Sequence, residues 1–337
     1  MTTQLSPSRG APPGDGGTGA PPRGRRTLAA RENRAGLAFV SPTLVVVLVV
    51  VVVPIAWTVL LAFQRSRLVD IHDGGLFGDW TLRNFTQVFS SSGFWSSLVT
   101  TLVYAVGGTV GSIGLGLVAA LALRRPFRGL GLLRGAMLLP YVAPVVAVTF
   151  VWEIMLSPEF GVVNAWGRSL FGWDRPMDFL GRREATLSLL GLDVPVPVAL
   201  LTVIAFETWR YFPFAFLFLL ARLQAVPPSL EEAAMVDGAT LTQRFRHILL
   251  PQLWPVIALL AVLRFIMTFN KFDDVYLLTG GGAGTDVAAV RVFNFLTARF
   301  DVGAAAAQAL VLAVLLAVLL GVFGRFVAAR HQEEEGR

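Results

Sequence analysis

The chain has 337 residues, of which 55% are hydrophobic and only 15% are charged, and its mean hydropathy is +0.65. Soluble domains carry about 25% charged residues, so most of this chain is predicted to lie in a lipid bilayer. The formal charge of +6 fits the arginine bias of cytoplasmic membrane loops better than nucleic-acid binding, and the absence of cysteine excludes disulfides, thiolate metal sites and cysteine nucleophiles.

The two ends of the chain are predicted to be tails. The first 35 residues are rich in proline, glycine and arginine and lack apolar periodicity, so we predict a disordered cytoplasmic tail. The apolar run that follows is longer than the core of a signal peptide and is interpreted as a first membrane span. A membrane domain is predicted over residues 36–327, and a second cytoplasmic tail over residues 328–337.

Six apolar runs are long enough to cross a bilayer, which requires about 20 helical residues. We therefore predict an all-α membrane protein with six transmembrane helices. Pro54 should kink the first span, and Pro140 and Pro144 should make the third irregular. The predicted spans cover about residues 37–63, 94–123, 135–156, 197–220, 252–278 and 302–326.

The second span is rich in glycine. Such a surface lets another helix approach closely, although glycine is also simply frequent in membrane helices. The residues concerned are Gly107, Gly108, Gly111, Gly114 and Gly116.

The loop after the second span gives the predicted orientation. It carries Arg124, Arg125, Arg128 and Arg134 with no acidic residue among them, which is typical of a cytoplasmic loop. Residues 222–251 and both termini then fall on the same side of the membrane.

Residues 228–251, PSLEEAAMVDGATLTQRFRHILLP, form a polar island between two apolar runs. Ser229 with Glu232 has the spacing of a capping box, and Thr240 with Gln243 has it again. The island is therefore predicted to form two short helices.

The predicted helices are separated by Gly238, which suits the left-handed residue that ends a helix. Pro251 marks a boundary before the fifth span. The pattern alone fits a docking helix pair outside the membrane, and equally an interfacial hairpin that touches only lipid headgroups. The apolar faces comprise Leu230, Ala233 and Ala234 on the first helix, with Asp237 at its end, and Leu241, Phe245, Ile248 and Leu249 on the second.

Charged side chains inside a span are costly and therefore suggest function. Arg264 lies near the middle of the fifth span, while Glu207 and Arg210 stand three residues apart on the fourth and could pair. The pattern leaves open a polar pathway between these spans or an ion pair that only fixes helix packing. Asp273 and Asp274 are adjacent, do not face each other on a helix, and are not predicted to share a site.

Catalysis has little support in the sequence. His72, His247 and His331 lie far apart, without the spacing of known metal or hydrolase motifs. Lys271 is the only lysine, so the chain contains no phosphate-binding loop, and ATP would have to be bound by another protein. We predict no catalytic, cofactor-binding or metal-binding residue.

The polar island resembles the EAA loop of ABC importer permeases. The similar groups are Glu232-Ala233-Ala234, Asp237-Gly238-Ala239, and Phe245 and Ile248 followed by Leu250-Pro251. The Asp-Gly-Ala and Ile-x-Leu-Pro forms resemble the carbohydrate branch, of maltose and glycerol-phosphate type. FNKFDDVYLLTGGG at residues 269–282 and GVVNAW at residues 161–166 resemble other segments of that branch, with Ala283 and Gly284 where the branch usually has proline.

This resemblance covers about residues 37–327 and implies a six-transmembrane-helix ABC importer permease bundle with a cytoplasmic EAA coupling-helix loop at residues 222–251. In the family the loop inserts into a cleft on a cytoplasmic ATPase. The implied ATPase-coupling residues are Glu231, Glu232, Ala233, Ala234, Asp237, Gly238, Ala239, Phe245, Ile248 and Pro251.

The segment at residues 269–282 also suggests part of a translocation pathway. Aromatic rings beside an amide and a carboxylate suit a sugar, although a bundle core with a wet edge would have the same composition. The pathway candidates are Glu207, Arg210, Arg264, Phe269, Asn270, Phe272 and Asp273.

The implied function is half of the pathway of an ATP-driven importer for a sugar, polyol or sugar phosphate, and the chain itself is not expected to be an enzyme. The implied partners are a homologous permease in a heterodimer, two ATP-binding subunits, the bilayer, and an extracytoplasmic solute-binding protein that docks near residues 157–196 and 280–301; no nucleic acid is expected. The implied location is the cytoplasmic membrane of a prokaryote, multi-pass, with both termini inside. The alternatives are an ABC permease for amino acids or peptides and an ion-coupled secondary transporter.

Overall fold

The structure is a computed structural model that describes residues 38–68, 79–189 and 192–335. The tail predicted at residues 1–35 and the loop residue His72 lie outside the described residues. Residues 38–57 belong to one compact unit, and the residues from Thr58 onward form a second, larger one.

Five helices of the described chain are long and apolar enough to cross a membrane, in agreement with predicted spans one, two, four, five and six. A sixth candidate span is bent. The long helices are α1 (Ala38–Ala62), α3 (Ser92–Ala122), α7 (Val198–Gln224), α9 (Leu241–Phe269) and α12 (Val302–Glu335). Helix α12 continues past residue 326, so the predicted C-terminal tail is helical as far as residue 335.

The third span is broken, as its prolines predict. It consists of α4 (Leu130–Val142) and α5 (Val145–Leu156), which meet at 96°. The residue before a proline is pushed into extended conformation, and Ala143, before Pro144, has φ −63° and ψ 143°. Near Pro54 the first span contains a widened π-helical turn at Leu48–Val52.

The fifth span differs from the prediction at both ends. Helix α9 begins at Leu241 and runs through Pro251 without a boundary, because a π-helical turn at Phe245–Leu249 precedes that proline. Proline lacks an N–H and crowds the carbonyl four residues before it, and a wider turn relieves both problems. At the other end α9 stops at Phe269, about nine residues before the predicted end.

Short elements connect these helices. They are α2 (Arg83–Ser90), α6 (Val162–Phe171), α8 (Pro228–Val236), α10 (Asp273–Thr279), α11 (Ala288–Thr297) and a β-hairpin of β1 (Ala185–Leu189) and β2 (Leu192–Val196). The hairpin strands are antiparallel, with Ala185 opposite Val196. This ribbon was not predicted. The other regular elements in the described part of the chain are helices, which turns and loops connect, with isolated bridges between Gln64 and Trp80 and between Arg67 and Asp301.

The core of the larger unit is built on the pairing of α3 with α7, and the glycines of α3 make it possible. A Cβ atom at Gly116 would lie 2.8 Å from the Ala215 Cβ and the Phe216 nitrogen, and 3.0 Å from the Phe212 oxygen. Gly107, Gly108 and Gly111 likewise face side chains of α7, whereas Gly114 has nothing within 4 Å. The predicted close contact is therefore confirmed for all of these glycines except Gly114.

Candidate functional site

The first candidate region is α8, which contains the Glu-Ala-Ala sequence. It begins with Pro228, and its N-cap residue is Pro227, whose side chain makes no capping hydrogen bond. The capping box predicted for Ser229 and Glu232 is wrong, because Pro228 is already suited to the first helical position and Ser229 falls inside the first turn.

The end of α8 is tightly fixed. Gly238 has φ +78°, its N–H donates to the Met235 carbonyl at 3.1 Å, and the Ala239 N–H donates to the Ala234 carbonyl at 2.9 Å. This is the Schellman arrangement expected for a left-handed glycine after a helix. The second predicted capping box, Thr240 with Gln243, is present and starts α9.

Helix α8 stands clear of the core: none of its residues is buried. Val236 is 87% exposed and Met235 46%, and Glu232 and Ala233 are exposed beside them. Of the other predicted coupling residues, Asp237, Gly238 and Pro251 are exposed, Ala234 and Ala239 are half-buried, and Phe245 and Ile248 are partly buried, Phe245 against the core. Glu231 is different, because its side chain is only 17% exposed and is paired with Arg124.

The second candidate region is a pair of buried charges where α3, α7 and α9 pack together. Arg264 of α9 donates from Nη2 to Oε1 of Glu207 of α7 at 2.6 Å, and the two side chains are 1% and 0% exposed. Tyr104 of α3 donates to Oε2 of Glu207 at 3.0 Å, and Thr268 donates to Oε1 at 2.9 Å. Arg264 Nε also donates to Ser112 Oγ at 3.3 Å. This set of partners compensates for the cost of burying the carboxylate.

The predicted pairing of Glu207 with Arg210 is wrong. Glu207 instead meets Arg264 at a distance typical of a charge-assisted hydrogen bond. Arg210 donates from Nη2 to the Ala143 carbonyl at 3.2 Å, at the break between α4 and α5, and its Nε lies 3.9 Å from Oδ1 of Asp274. The broken span leaves a carbonyl that a guanidinium can satisfy, and this partner is invisible in the local sequence of α7.

The ring of Tyr211 lies among three cations. Its centroid is 4.4 Å from Arg264 Cζ, 4.8 Å from Lys271 Nζ and 5.6 Å from Arg210 Cζ, distances at which cations are attracted to an aromatic ring. Lys271 Nζ is also 3.7 Å from Oδ2 of Asp274. We call Glu207, Arg210, Tyr211, Arg264, Lys271 and Asp274 the polar centre.

Asp274 is the least satisfied group of the polar centre. It is fully buried, and within the described part of the chain neither of its carboxylate oxygens has a hydrogen-bond partner, nor has Nη1 of Arg210. Nε of Arg210 lies 3.9 Å from Oδ1 of Asp274, a separation that a water or a hydroxyl group can bridge.

The remaining pathway candidates are not members of the polar centre, and within the described residues only Asp273 among them forms an ion pair with one of its residues. Phe269 is 2% exposed and packs in an apolar cluster, and the exposed Asn270 donates to the Ile266 carbonyl of its own helix. Phe272 stacks on Tyr276 with centroids 5.0 Å apart. Asp273 is 43% exposed and lies 3.0 Å from Lys271.

The sequence prediction missed part of this arrangement. Tyr104, Ser112 and Tyr211 gave no signal, since polar residues of spans are common and their partners lie on other helices. Lys271 and Asp274 could have been found, because a lone lysine three residues from a carboxylate next to a membrane span is unusual. No group of three or more histidine or carboxylate side chains that could hold a metal ion is found in the described residues.

The segments between α5 and α7 and between α9 and α12 carry further polar structure. The buried Asn164 donates to the carbonyls of Ser157 and Met177 at 3.1 and 3.0 Å and accepts from the Met177 N–H at 2.7 Å. Near α11, burial raises the pKa of the Asp286 carboxyl above its usual range, and the charge of Arg291 opposes that rise.

Comparison with known proteins gives consistent matches. The family described as "Binding-protein-dependent transport system inner membrane component" matches residues 112–333. The "Trehalose/maltose transport system permease protein MalF" of Thermococcus litoralis is 34% identical over 80% of this chain and 84% of its own length. The "Inner membrane ABC transporter permease protein YcjO" of Escherichia coli is 35% identical over 84% and 91%. Among solved structures, a chain of a bacterial alginate ABC transporter in complex with an alginate-bound periplasmic protein superposes with a TM-score of 0.71 at 22% identity, covering 88% of this chain and 94% of that one.

Proposed function

Because this chain belongs to the family of binding-protein-dependent transport system inner membrane components, we propose that it is the membrane-spanning permease subunit of an ATP-driven importer for a sugar or a related polyol. The carbohydrate cargo is supported by the trehalose and maltose named for the Thermococcus relative. The chain is then a transport subunit, and ATP hydrolysis belongs to a partner protein.

One observation carries the coupling role: α8 has no buried residue although both of its flanks are anchored. Val226 before it and Leu249 after it are buried in one apolar cluster. A helix held at both ends and exposed between them can be gripped by another protein and can move the helices it joins. We propose that the exposed Glu232 and Ala233 contact the ATPase.

The proposed substrate pathway runs along the polar centre. Buried ionisable side chains within a membrane span suggest function, and Arg210 and Asp274 retain unused hydrogen-bonding atoms that a sugar hydroxyl could bridge. The stacked rings of Phe272 and Tyr276 lie next to Asp273 and offer an aromatic face. In the structure Glu207 and Arg264 satisfy each other, so passage of a substrate requires α9 to separate from α7.

The proposed assembly contains a second, homologous permease, two ATPase subunits and an external solute-binding protein. The arginine-rich loop between α3 and α4, α8 and both termini would face the cytoplasm. The binding protein would then dock on the opposite side, at residues 157–196 and 280–301.

The first experiment is purification of the tagged chain from its native membrane in mild detergent. Recovery of an ATPase, a second permease and a solute-binding protein is expected. Recovery of the chain alone, with ion-driven sugar uptake in vesicles, would refute the importer assignment.

The second experiment tests coupling with Glu232→Lys and Gly238→Pro in the reconstituted complex. Both variants should insert into the membrane and lose ATP-driven uptake of trehalose or maltose, while ATP hydrolysis continues. Asp79→Lys, an exposed acidic residue of the loop between α1 and α2, is the matched charge control. Normal uptake by both coupling variants would contradict the role of α8.

A further inference from the structure

We propose that Arg124 and Glu231 form a clamp through which movement of α8 is passed directly to α3. This inference rests on the proposed coupling role of α8. By chain connection α8 can move only α7 and α9, the helices on either side of it. The clamp adds α3, which reaches the polar centre by a separate route.

The pair has the geometry of a specific contact. Arg124 Nη1 donates to Glu231 Oε1, and Nη2 donates to Oε2 at 2.9 Å, between residues 107 positions apart. A guanidinium that binds both oxygens of a carboxylate fixes orientation as well as distance. The side chains are 19% and 17% exposed, so solvent and salt screen the pair less than a surface pair.

The clamp is also an isolated contact. Among the residues that the structure describes, it is the only ion pair or side-chain hydrogen bond that α8 makes with another part of the chain, and Arg124 lies in the loop two residues after the end of α3. Since α8 buries none of its residues, its position relative to α3 depends on this pair and on its two chain flanks. Glu231 therefore acts as a positioning residue that faces the bundle, whereas the exposed Glu232 faces away.

Helix α3 can carry a displacement to the polar centre. It is one uninterrupted helix of 31 residues, and its close seam with α7 resists sliding. Ser112 and Tyr104 of α3 contact Arg264 and Glu207. At 1.5 Å per residue they lie about 15 and 27 Å along the axis from the end of α3 at Ala122, two residues before Arg124.

Other arginines brace the neighbouring helix ends. Arg134 Nη2 donates to the Leu123 carbonyl at 2.7 Å and fixes the end of α3 to α4. Arg222, at the end of α7, donates to the Gln252 carbonyl at 3.0 Å and to its side-chain oxygen at 2.6 Å, which ties α7 to α9. The helices that flank α8, α7 and α9, are thus tied to each other, and the clamp is the contact that connects α3 to α8.

The test uses the complete reconstituted transporter with Arg124→Gln and Glu231→Gln. Arg125→Gln is the matched control, because Arg125 is the exposed neighbour in the same loop. Both clamp variants should retain the ATPase during purification. The number of trehalose or maltose molecules transported per ATP hydrolysed should fall at least about fivefold, which is the lower end of the usual coupling between two sites. The exchanged double variant, Arg124→Glu with Glu231→Arg, should restore most of the ratio.

The distance between α3 and α8 provides a second readout, because a pair that only stabilised the fold would not control how this distance responds to nucleotide. The chain has no cysteine, so spin labels at Val118→Cys on α3 and Met235→Cys on α8 are unique within it. With the clamp intact the distance should stay the same when a non-hydrolysable ATP analogue binds, and with Arg124→Gln it should change.

The outcomes separate the two proposals. If no ATPase co-purifies with the unmodified chain, the proposed function fails and the clamp fails with it. If the ATPase is bound and Arg124→Gln moves as much sugar per ATP as Arg125→Gln, the clamp alone is refuted. If Arg124→Gln is lost from the membrane, Glu231→Gln gives the same comparison, because it replaces only one carboxylate oxygen by an NH2 group.

Discussion

Replacement of Gly116 by alanine tests the close packing of α3 on α7. The added Cβ would stand 2.8 Å from the Phe216 backbone nitrogen and from the Ala215 Cβ, and ordinary contact begins at 3.4 Å. Because one of these atoms belongs to the backbone, the helices must separate locally by about 0.6 Å. Overpacking of this kind costs about 1–3 kcal/mol.

Gly114→Ala is the matched control, since it lies on the same helix with nothing within 4 Å. Both substitutions gain helix propensity, about 1 kcal/mol for glycine to alanine, so the difference between them isolates the steric term. We expect Gly116→Ala to be less stable than Gly114→Ala by about 1–3 kcal/mol.

Thermal unfolding in detergent, followed by tryptophan fluorescence, measures this difference. At about 2–4 °C per kcal/mol the two midpoints should differ by several degrees. The steric displacement lies between Ser112 and the end of α3, so Gly116→Ala should also reduce uptake. Equal midpoints for the two variants would refute the close-packing argument.

Other substitutions test the remaining features. Glu207→Gln leaves Arg264 buried without its anion and should lower the free energy of unfolding by about 3–5 kcal/mol. The double variant Glu207→Leu with Arg264→Met should recover most of that loss. Equal destabilisation of the single and double variants in thermal unfolding would contradict the ion-pair account. Asn164→Ala leaves backbone groups unpaired at about 1–3 kcal/mol each, and limited proteolysis should cut the segment between α5 and α7 faster; an unchanged cleavage rate would count against its anchoring role. Gly238→Ala places a side chain at φ +78°, which costs about 1–2 kcal/mol, so amide exchange in α8 should accelerate relative to Gly321→Ala, a helical glycine with open space around it; equal exchange would show that the left-handed turn is unimportant.

The sequence was sufficient where a structural choice depends on local chemistry. Long apolar runs predicted the spans, Pro144 predicted the break in the third, and Thr240 with Gln243 predicted a cap that is present. Ser229 failed as a cap because the adjacent Pro228 competes for the start of the helix. Here two local rules conflicted, and composition alone did not indicate which would prevail.

The polar centre was predictable only in part, because its contacts depend on which helices face each other. Glu207 and Arg264 were both recognised as buried charges, yet their pairing requires α7 and α9 to be neighbours at a specific depth. Asp274 was set aside because adjacent residues do not share a helical face. It is nevertheless buried against Arg210, a contact between α10 and α7 that no periodicity within either segment reveals.

The distance between Glu207 and Arg264 along the chain bears on how the protein is made. They are 57 residues apart, and a ribosome adds about 5–20 residues per second, so α7 emerges about 3–11 s before its partner arrives. A lone charge at the centre of an inserting helix costs about 2.5–3.5 kcal/mol at the translocon. Arg210, one turn away on the same helix, is a cation within reach of Glu207 during that interval. The pairing of Glu207 with Arg210 that the sequence suggests and its pairing with Arg264 in the fold can therefore belong to successive stages of biogenesis. Arg210 would compensate the charge of Glu207 and keep α7 in the bilayer until Arg264 of α9 takes over as the partner.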